Sequence, residues 1–247
     1  MKKTKKRLDL LVQEMRPDLS RNQIQSFIMQ GKVFVDEKIV NKAGVAVDVE
    51  SSITVSAKEP KYVSRAGYKL EHALQAFGVD IKDKVALDAG ISTGGFTNCL
   101  LQSGAKKVFG VDVGYGQVHE KIRVDSRVVL LERTNLRNLT LDKIGEPVDI
   151  VTLDLSFISV LKVMAAVVSV LKPGGILLVL IKPQFEAERH EVGRGGIIKD
   201  EKVHQAVIKK VCSGIEVCGF SCEGVVESPI LGGAGNKEFL GLFYKGE

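Results

Sequence analysis

Apolar and polar positions alternate along this chain in two rhythms. Residues 84–87, 107–111, 127–131, 148–153 and 176–181 are short apolar runs rich in Val, Ile and Leu, the pattern of strands buried on both faces. Segments of helical spacing or loop character separate and follow them, most clearly residues 96–103, 159–171 and 200–215. Such alternation predicts an α/β fold, a mostly parallel sheet covered by helices on both sides. The end breaks the rhythm. Residues 223–227 and 238–244 read as two strands with no helix between them, so a closing hairpin is expected, with the last strand antiparallel.

The first 60 residues follow another plan. Residues 6–15 place Leu8, Leu11, Val12 and Met15 at helical spacing. Ser20 suits the N-cap of a second helix over residues 21–30, where Ile24, Phe27 and Ile28 share a face and Gly31 ends the run. Short alternating runs at 32–35, 38–40 and 52–55 come next, the first two joined by the turn-like Asp36-Glu37. Two helices and a small sheet make a thin core. Glu59-Pro60 marks a boundary, which divides the chain into residues 1–60 and 61–247. Residues 62–78 then predict a helix with Leu70, Ala73, Leu74 and Phe77 on one face and Lys69 beside that stripe.

Composition narrows the class. The chain has 247 residues, 45% apolar and 26% charged, which suits one large and one small globular domain and excludes a disordered, collagen-like or coiled-coil chain. Its longest apolar stretches, residues 163–171 and 176–181, are interrupted by Lys172-Pro173 and fall short of the roughly 18 residues that span a bilayer. No apolar segment follows the basic N-terminus as in a secretory signal. A cytoplasmic protein without a membrane partner is expected. Cys99, Cys212, Cys218 and Cys222 match no zinc spacing, and His72, His119, His190 and His204 are scattered; reduced thiols and no metal are expected. Residues 1–35 carry eight basic side chains against three acids, which accounts for the whole net charge of +5. A basic end on a neutral body points to an anionic partner.

The first strand of the alternating region runs into Asp88-Ala89-Gly90-Ile91-Ser92-Thr93-Gly94-Gly95-Phe96. A glycine-rich turn from strand to helix lets a ligand approach the backbone. The second strand ends in Asp112, where an acid can accept both hydroxyls of an adenosine ribose. A carboxylate leading the turn, as Asp88 does, would repel a pyrophosphate. It suits a ligand with a positive group, such as the amino-acid end of S-adenosylmethionine. The fourth and fifth strands end in Asp154 and Lys182, which should face the same crevice as Asp88 and Asp112. Arg133 and Asn135 follow the third strand, where the adenine would lie, and the basic, glycine-rich segment 189–196 reads as a mobile loop near the crevice mouth.

Two resemblances rest on these residues. Arg7-Leu8-Asp9, Ser20-Arg21-Asn22-Gln23-Ile24 and Gly31-Lys32-Val33-Phe34-Val35-Asp36 resemble the RNA-binding domain named after ribosomal protein S-four. That implies a small α+β RNA-binding domain in which Arg7, Arg21 and Lys32 face RNA; Arg65 is added to this set. Lys42-Ala43-Gly44 departs from the Lys-Pro common there. The rest resembles the FtsJ-type ribose 2′-O-methyltransferases, whose Lys-Asp-Lys-Glu tetrad matches Lys69, Asp154, Lys182 and Glu238. With the segments Tyr62 to Leu70, Ser92 to Thr97, Asp112 to Gln117, Asp154 to Ser159 and Lys182 to Glu186, the whole is similar to the TlyA family of haemolysin-named ribosomal RNA methyltransferases. This implies a Rossmann-like methyltransferase fold with a mostly parallel seven-stranded sheet. It implies S-adenosylmethionine as cofactor, held by Asp88, Gly90, Ser92, Thr93, Gly94, Gly95, Phe96, Asp112, Asn135 and Asp154. The implied partner is ribosomal RNA or a ribosomal subunit, methylated at a cytidine. Ile91 replaces a small residue, which would crowd the methionine end of the cofactor. Asn98 stands where Asp is frequent, and Val118-His119-Glu120 lacks the usual aromatic; His119 itself is a candidate for the crevice wall.

The chemistry is consistent with a hydroxyl target. A ribose hydroxyl needs a base to take its proton, and methyl transfer from a sulfonium needs in-line alignment. Burial and a second cation, Lys69, would favour the neutral amine of Lys182 and so a base role. Asp154 would orient it, and Lys69 and Glu238 would hold ribose and phosphate. Enzymes that methylate nucleobase amines resemble an Asn/Asp-Pro-Pro-aromatic pattern instead; here Lys182 replaces the acceptor with a donor. Two other readings stand beside the enzyme: an RNA-binding assembly factor with a vestigial site, and a membrane-active haemolysin.

Overall fold

The computed structural model describes residues 4–56 and 60–247. Lys2 and Lys3 of the basic terminus and Glu59 at the expected boundary lie outside the described residues. The chain divides into two compact units, residues 1–60 and 61–247.

In the first unit, β1 (Lys5–Arg7) leads into α1 (Leu8–Met15) and α2 (Arg21–Met29), followed by β2 (Val33–Val35), β3 (Lys38–Ile39), β4 (Ala46–Asp48) and β5 (Ile53–Val55). Leu8, Val12, Ile24, Ile28 and Val33 form its fully buried core. The Ser20 hydroxyl accepts from the Gln23 amide while the Gln23 side chain accepts from the Ser20 amide, a reciprocal cap that starts α2. Residues 5–7 are not the start of a helix, as the spacing suggested, but a strand antiparallel to β4. The amides of Leu8 and Asp9 donate to the carbonyls of Val45 and Ala43 at 2.9 and 3.0 Å, which anchors the helix start to a distant loop. Three residues are too few for an alternation to show.

The second unit opens with α3 (Ala66–Phe77) and continues β6 (Val85–Ala89), α4 (Gly95–Gln102), β7 (Lys107–Val111), α5 (Glu120–Arg123), β8 (Val128–Leu131), α6 (Leu141–Ile144), β9 (Val148–Leu153), α7 (Met164–Val170), β10 (Leu171–Ile181), α8 (Pro183–Glu186), α9 (Glu201–Glu216), β11 (Phe220–Glu227) and β12 (Phe239–Lys245). Its seven strands run in the order β11-β12-β10-β9-β6-β7-β8. β12 is antiparallel to both neighbours, and the pairs β10–β9, β9–β6, β6–β7 and β7–β8 are parallel. Alternate residues of β6 feed opposite cores: Val85, Leu87 and Ala89 point to one face and Ala86 to the other. All five residues of β6 are buried, as a central strand covered on both sides must be. The last strand enters between β10 and β11 instead of closing the edge.

α3 begins four residues later than its apolar spacing predicts. Tyr62 is buried edge-to-face against Tyr68, ring centroids 5.2 Å apart, and the Val63 amide donates to the side chain of Asn98 at 3.1 Å. Those contacts hold residues 62–65 across α4 rather than in a helical turn. Chain order reverses direction on either side of β6, so the carboxyl ends of β6 and β9 flank a topological switch point, where open α/β sheets bind ligands.

Candidate active site

Two cavities open at the carboxyl ends of these strands. The larger, about 510 Å³, is lined by Gly90, Ser92, Asp112, Asn135, Asp154 and Ser156 among others. Gly90 has φ +87°, and a Cβ there would lie 2.5 Å from the Asp154 carbonyl oxygen; only glycine lets β6 and β9 close at this point. Asp112 accepts hydrogen bonds from the amides of Ser92 at 2.8 Å and Gly114 at 2.7 Å, which fix its carboxylate at the cavity wall. Asn135 accepts from the Arg137 amide at 3.1 Å and caps the short 3₁₀ turn Leu136–Asn138. Arg133 lies over the Tyr115 ring at 4.2 Å.

Several expected ligand contacts turn out to hold the turn itself together. Asp88 does not line the cavity. It is fully buried, accepting from the amide and hydroxyl of Thr97 at 2.9 and 2.7 Å and from the Thr152 hydroxyl at 3.2 Å. It therefore ties β6 to α4 and β9. Gly94, Gly95 and Phe96 are buried inside, and Thr93 is exposed; none of the four lines the cavity. A Cβ at Gly95 would strike the Ser64 hydroxyl at 2.2 Å, so that glycine serves packing between α4 and the start of α3. Ile91 does not crowd the cavity either: it is buried against Gly110, whose Cβ would meet the Ile91 side chain at 2.3 Å. His119 caps α5, its Nδ1 accepting from the Lys121 amide at 3.1 Å.

Burial pushes the Asp88 carboxyl up to about 7, against the opposing Thr97 hydrogen bond, with the Asp154 charge adding to the rise. The unfolded chain releases this proton near pH 4, before the folded one does, so the group withdraws stability as pH rises from about 4 to about 7. The full cost, of order 4 kcal/mol, is in place above that window. Relative to Asp88→Asn, the wild-type protein is expected to lose about 3 kcal/mol of unfolding free energy between pH 5 and pH 8. Urea denaturation at the two pH values measures it. A difference that does not change with pH would mean that the carboxyl is ionised throughout.

The smaller cavity, about 370 Å³, shares Ser156 and Phe157 with the first and is lined also by Lys182, Gln184 and Glu238. Lys182 Nζ stands 2.6 Å from Asp154 Oδ1 and donates to the Ser156 hydroxyl at 3.0 Å. Lys69 donates to Glu238 in a buried ion pair. The four residues thus meet as two cation–carboxylate pairs, with Lys182 and Glu238 on one cavity wall. The carboxylate expected to orient Lys182 is its immediate neighbour, whereas Lys69, expected to act on Lys182 as a second cation, is paired with Glu238. Lys69 is buried, because Glu238, just before β12, pairs with it.

Sequence reasoning missed four residues of this region. Ser156 bonds Lys182 directly. Phe157 is 90% exposed with φ +64°, its ring 5.0 Å from that of Phe185, an aromatic face presented to solvent between the two cavities. The Gln184 carboxamide oxygen is buried and has no hydrogen-bond partner among the described residues. Asn236 is buried and ties two glycine-rich loops, accepting from the Ile198 amide at 2.9 Å and donating to the Gly196 carbonyl at 2.8 Å. Gly195 and Gly196, from the loop expected at the crevice mouth, line the smaller cavity. Only Phe157, an aromatic in the loop that follows β9, carried a sequence signal.

Residues 62–245 match the model of the FtsJ-like methyltransferases. This chain belongs to the FtsJ-like methyltransferase family. Residues 6–53 match the S4 domain. The 16S/23S rRNA (cytidine-2′-O)-methyltransferase TlyA of Mycobacterium tuberculosis is 42% identical over 222 residues, 90% of this chain and 83% of that protein, which places the present FtsJ-like protein in the TlyA family. A solved structure from Streptococcus thermophilus that carries a hemolysin name superposes with a TM-score of 0.77 at 36% identity, covering 98% of this chain and 89% of the other. A Listeria monocytogenes protein described as an S-adenosylmethionine-dependent methyltransferase shares the fold at TM-score 0.54 and 20% identity, covering 74% of this chain and 100% of its own. The expected fold class, a Rossmann-like methyltransferase sheet preceded by a small RNA-binding domain, is the one found. Among the described residues no helix is long and apolar enough to cross a membrane, and no group of three or more His, Cys, Asp or Glu side chains could hold a metal ion.

Proposed function

We propose that this protein methylates the ribose 2′-hydroxyl of a cytidine in ribosomal RNA, in the cytoplasm, with S-adenosylmethionine as donor. The observation that carries the reading is the Lys182–Asp154 pair: Asp154 lines the larger cavity and Lys182 the smaller, so one ion pair bridges a cofactor-sized pocket and an open substrate pocket.

The larger cavity fits the donor on its own geometry. Its size is that of a small-molecule site, Gly90 leaves backbone where a side chain would fill it, and the braced Asp112 carboxylate suits a ribose diol. Asp112, Asn135, Gly90 and Asp154 would hold the donor, which when bound supplies an electrophilic methyl group on a positively charged sulfur. Asp88, Gly94, Gly95 and Phe96 support that site from behind. Asp154 keeps Lys182 aimed at the substrate pocket. Once its own proton has gone to solvent, the Lys182 amine can accept the 2′-hydroxyl proton as that oxygen attacks. Ser156 fixes the Lys182 side chain from a second direction. Glu238, backed by Lys69, stands on the same wall as an acceptor for a sugar hydroxyl. The exposed Phe157 ring offers a face on which a nucleobase can stack. Residues 1–60 would dock folded RNA through Arg7, Arg21 and Lys32, with Arg65 on the catalytic unit adding a further phosphate contact.

Incubation with tritiated S-adenosylmethionine and ribosomal subunits that lack the modification, followed by mass mapping of the RNA, tests this function. Label in a 2′-O-methylcytidine is expected. Donor binding without transfer would favour an assembly factor. Gly90→Ala is expected to weaken donor binding at least tenfold in calorimetric titration, because the new methyl collides with the Asp154 carbonyl. The left-handed backbone adds a conformational cost of roughly 1–3 kcal/mol. Unchanged affinity would place the donor elsewhere.

A further inference from the structure

The first unit buries an acid beneath its basic surface. Asp9 stands in the first turn of α1 with a side chain wholly shielded from solvent. Its Oδ1 accepts from Arg7 Nε at 2.9 Å and its Oδ2 from Arg7 Nη2 at 2.8 Å, a two-point guanidinium–carboxylate pair. The same Oδ2 accepts from Gln25 Nε2 at 3.3 Å and lies 3.6 Å from Arg21 Nη2. Hydrogen bonding from Arg7 holds the carboxyl down at about 2 despite its burial, so it is charged throughout the physiological range. The two arginines nevertheless remain half exposed, at 50% and 62% of their side-chain surface. The end of β1 and the start of α2 thus send guanidinium groups to one anchored point and leave their remaining N–H donors facing outward.

Resting on the reading that this unit binds RNA, we propose that Asp9 is a positioning residue that fixes Arg7 and Arg21 as a paired clamp for the RNA phosphodiester backbone. A surface arginine samples many rotamers, and a phosphate that captures it must freeze them. Asp9 removes that cost beforehand. Two arginines on one carboxylate keep a net charge of +1 for an anion. The arrangement specifies arginine: a lysine cannot bond both carboxylate oxygens in one plane and still present donors outward.

The alternative effect of Asp9, simple cancellation of positive charge, predicts the opposite sign, so binding of the full-length protein to unmodified ribosomal subunits at several salt concentrations decides between them. Asp9→Asn is expected to weaken binding about tenfold and to make the dependence on salt shallower, by up to the two phosphate contacts' worth of counterions. Arg7→Lys, which conserves charge and leaves the buried acid in place, is expected to weaken binding comparably, and Asp9→Asn added to it should weaken it little further. Glu14→Gln on the same helix, which removes an exposed acid, should leave binding equal or tighter. Equal or tighter binding by Asp9→Asn with an unchanged or steeper salt slope would overturn the proposal. If Asp9→Asn does not fold, Arg7→Lys decides: wild-type affinity for that variant overturns the clamp. Failure of the wild-type protein to bind subunits would instead refute the RNA-binding reading itself.

Discussion

Lys182→Ala is expected to slow methyl transfer by about 10²–10⁴-fold, the usual contribution of a positioned acid–base group. Lys182 Nζ touches both Asp154 and Ser156 and lines the open pocket, so its removal takes away the proposed base and frees Asp154 from its partner. Donor affinity should change only a few-fold, because three of the four groups that would hold the donor, Gly90, Asp112 and Asn135, follow other strands, and the fourth, Asp154, stays in place. Single-turnover transfer of labelled methyl groups, with donor binding measured separately, isolates the chemical step. Turnover within threefold of wild type with the same product would remove the base role from Lys182. Asp154→Asn should sit between the two, because it keeps the shape and loses the charge that aims Lys182.

The second large effect concerns stability and catalysis together. Lys69 and Glu238 pair with side chains 10% and 3% exposed. Such a pair gains little over apolar neighbours, but removal of one partner strands a charge, at a cost of about 3–5 kcal/mol. Glu238→Ala and Lys69→Ala are each expected to lose that much in denaturant unfolding of the catalytic unit. The double replacement Lys69→Met with Glu238→Gln should recover most of the loss, since no charge is left behind. It should not recover methyl transfer if Glu238 accepts from the substrate sugar. Recovery of both would make the pair a packing element alone, and single losses below about 1 kcal/mol would mean that water reaches the pair.

Much of the architecture was legible from periodicity. Residues 107–111 and 148–153 read as strands and are β7 and β9 with those bounds. The run 84–87 is displaced by one or two residues into β6, and the capped second helix is α2. These elements carry continuous apolar runs or a local cap, signals that depend only on near neighbours. The misses share a cause. β1 is three residues long, and its pairing with β4 is a contact across some 40 residues of chain. The late start of α3 is imposed by Asn98 and Tyr68, neither of which the local pattern around Tyr62 reveals.

The site divides the same way. From residue type and place at strand ends, the chain by itself marked Asp88, Gly90, Asp112, Asp154 and Lys182 as chemically important. It could not say that Asp88 is sealed behind the turn while Asp112 faces the cavity, because both are acids that end a central strand. Thr97 and Thr152 decide that difference by enclosing the first carboxylate. Nor could it choose every partner. It set Asp154 to orient Lys182, and the two stand 2.6 Å apart, but the pairing of Lys69 with Glu238 across 169 positions had no signal in it. Periodicity encodes which face of an element is buried, since that depends on the hydrophobic effect of its own residues. The fate of a buried charge depends on the atoms within a few ångströms of it, and those come from strands that only the folded sheet brings together.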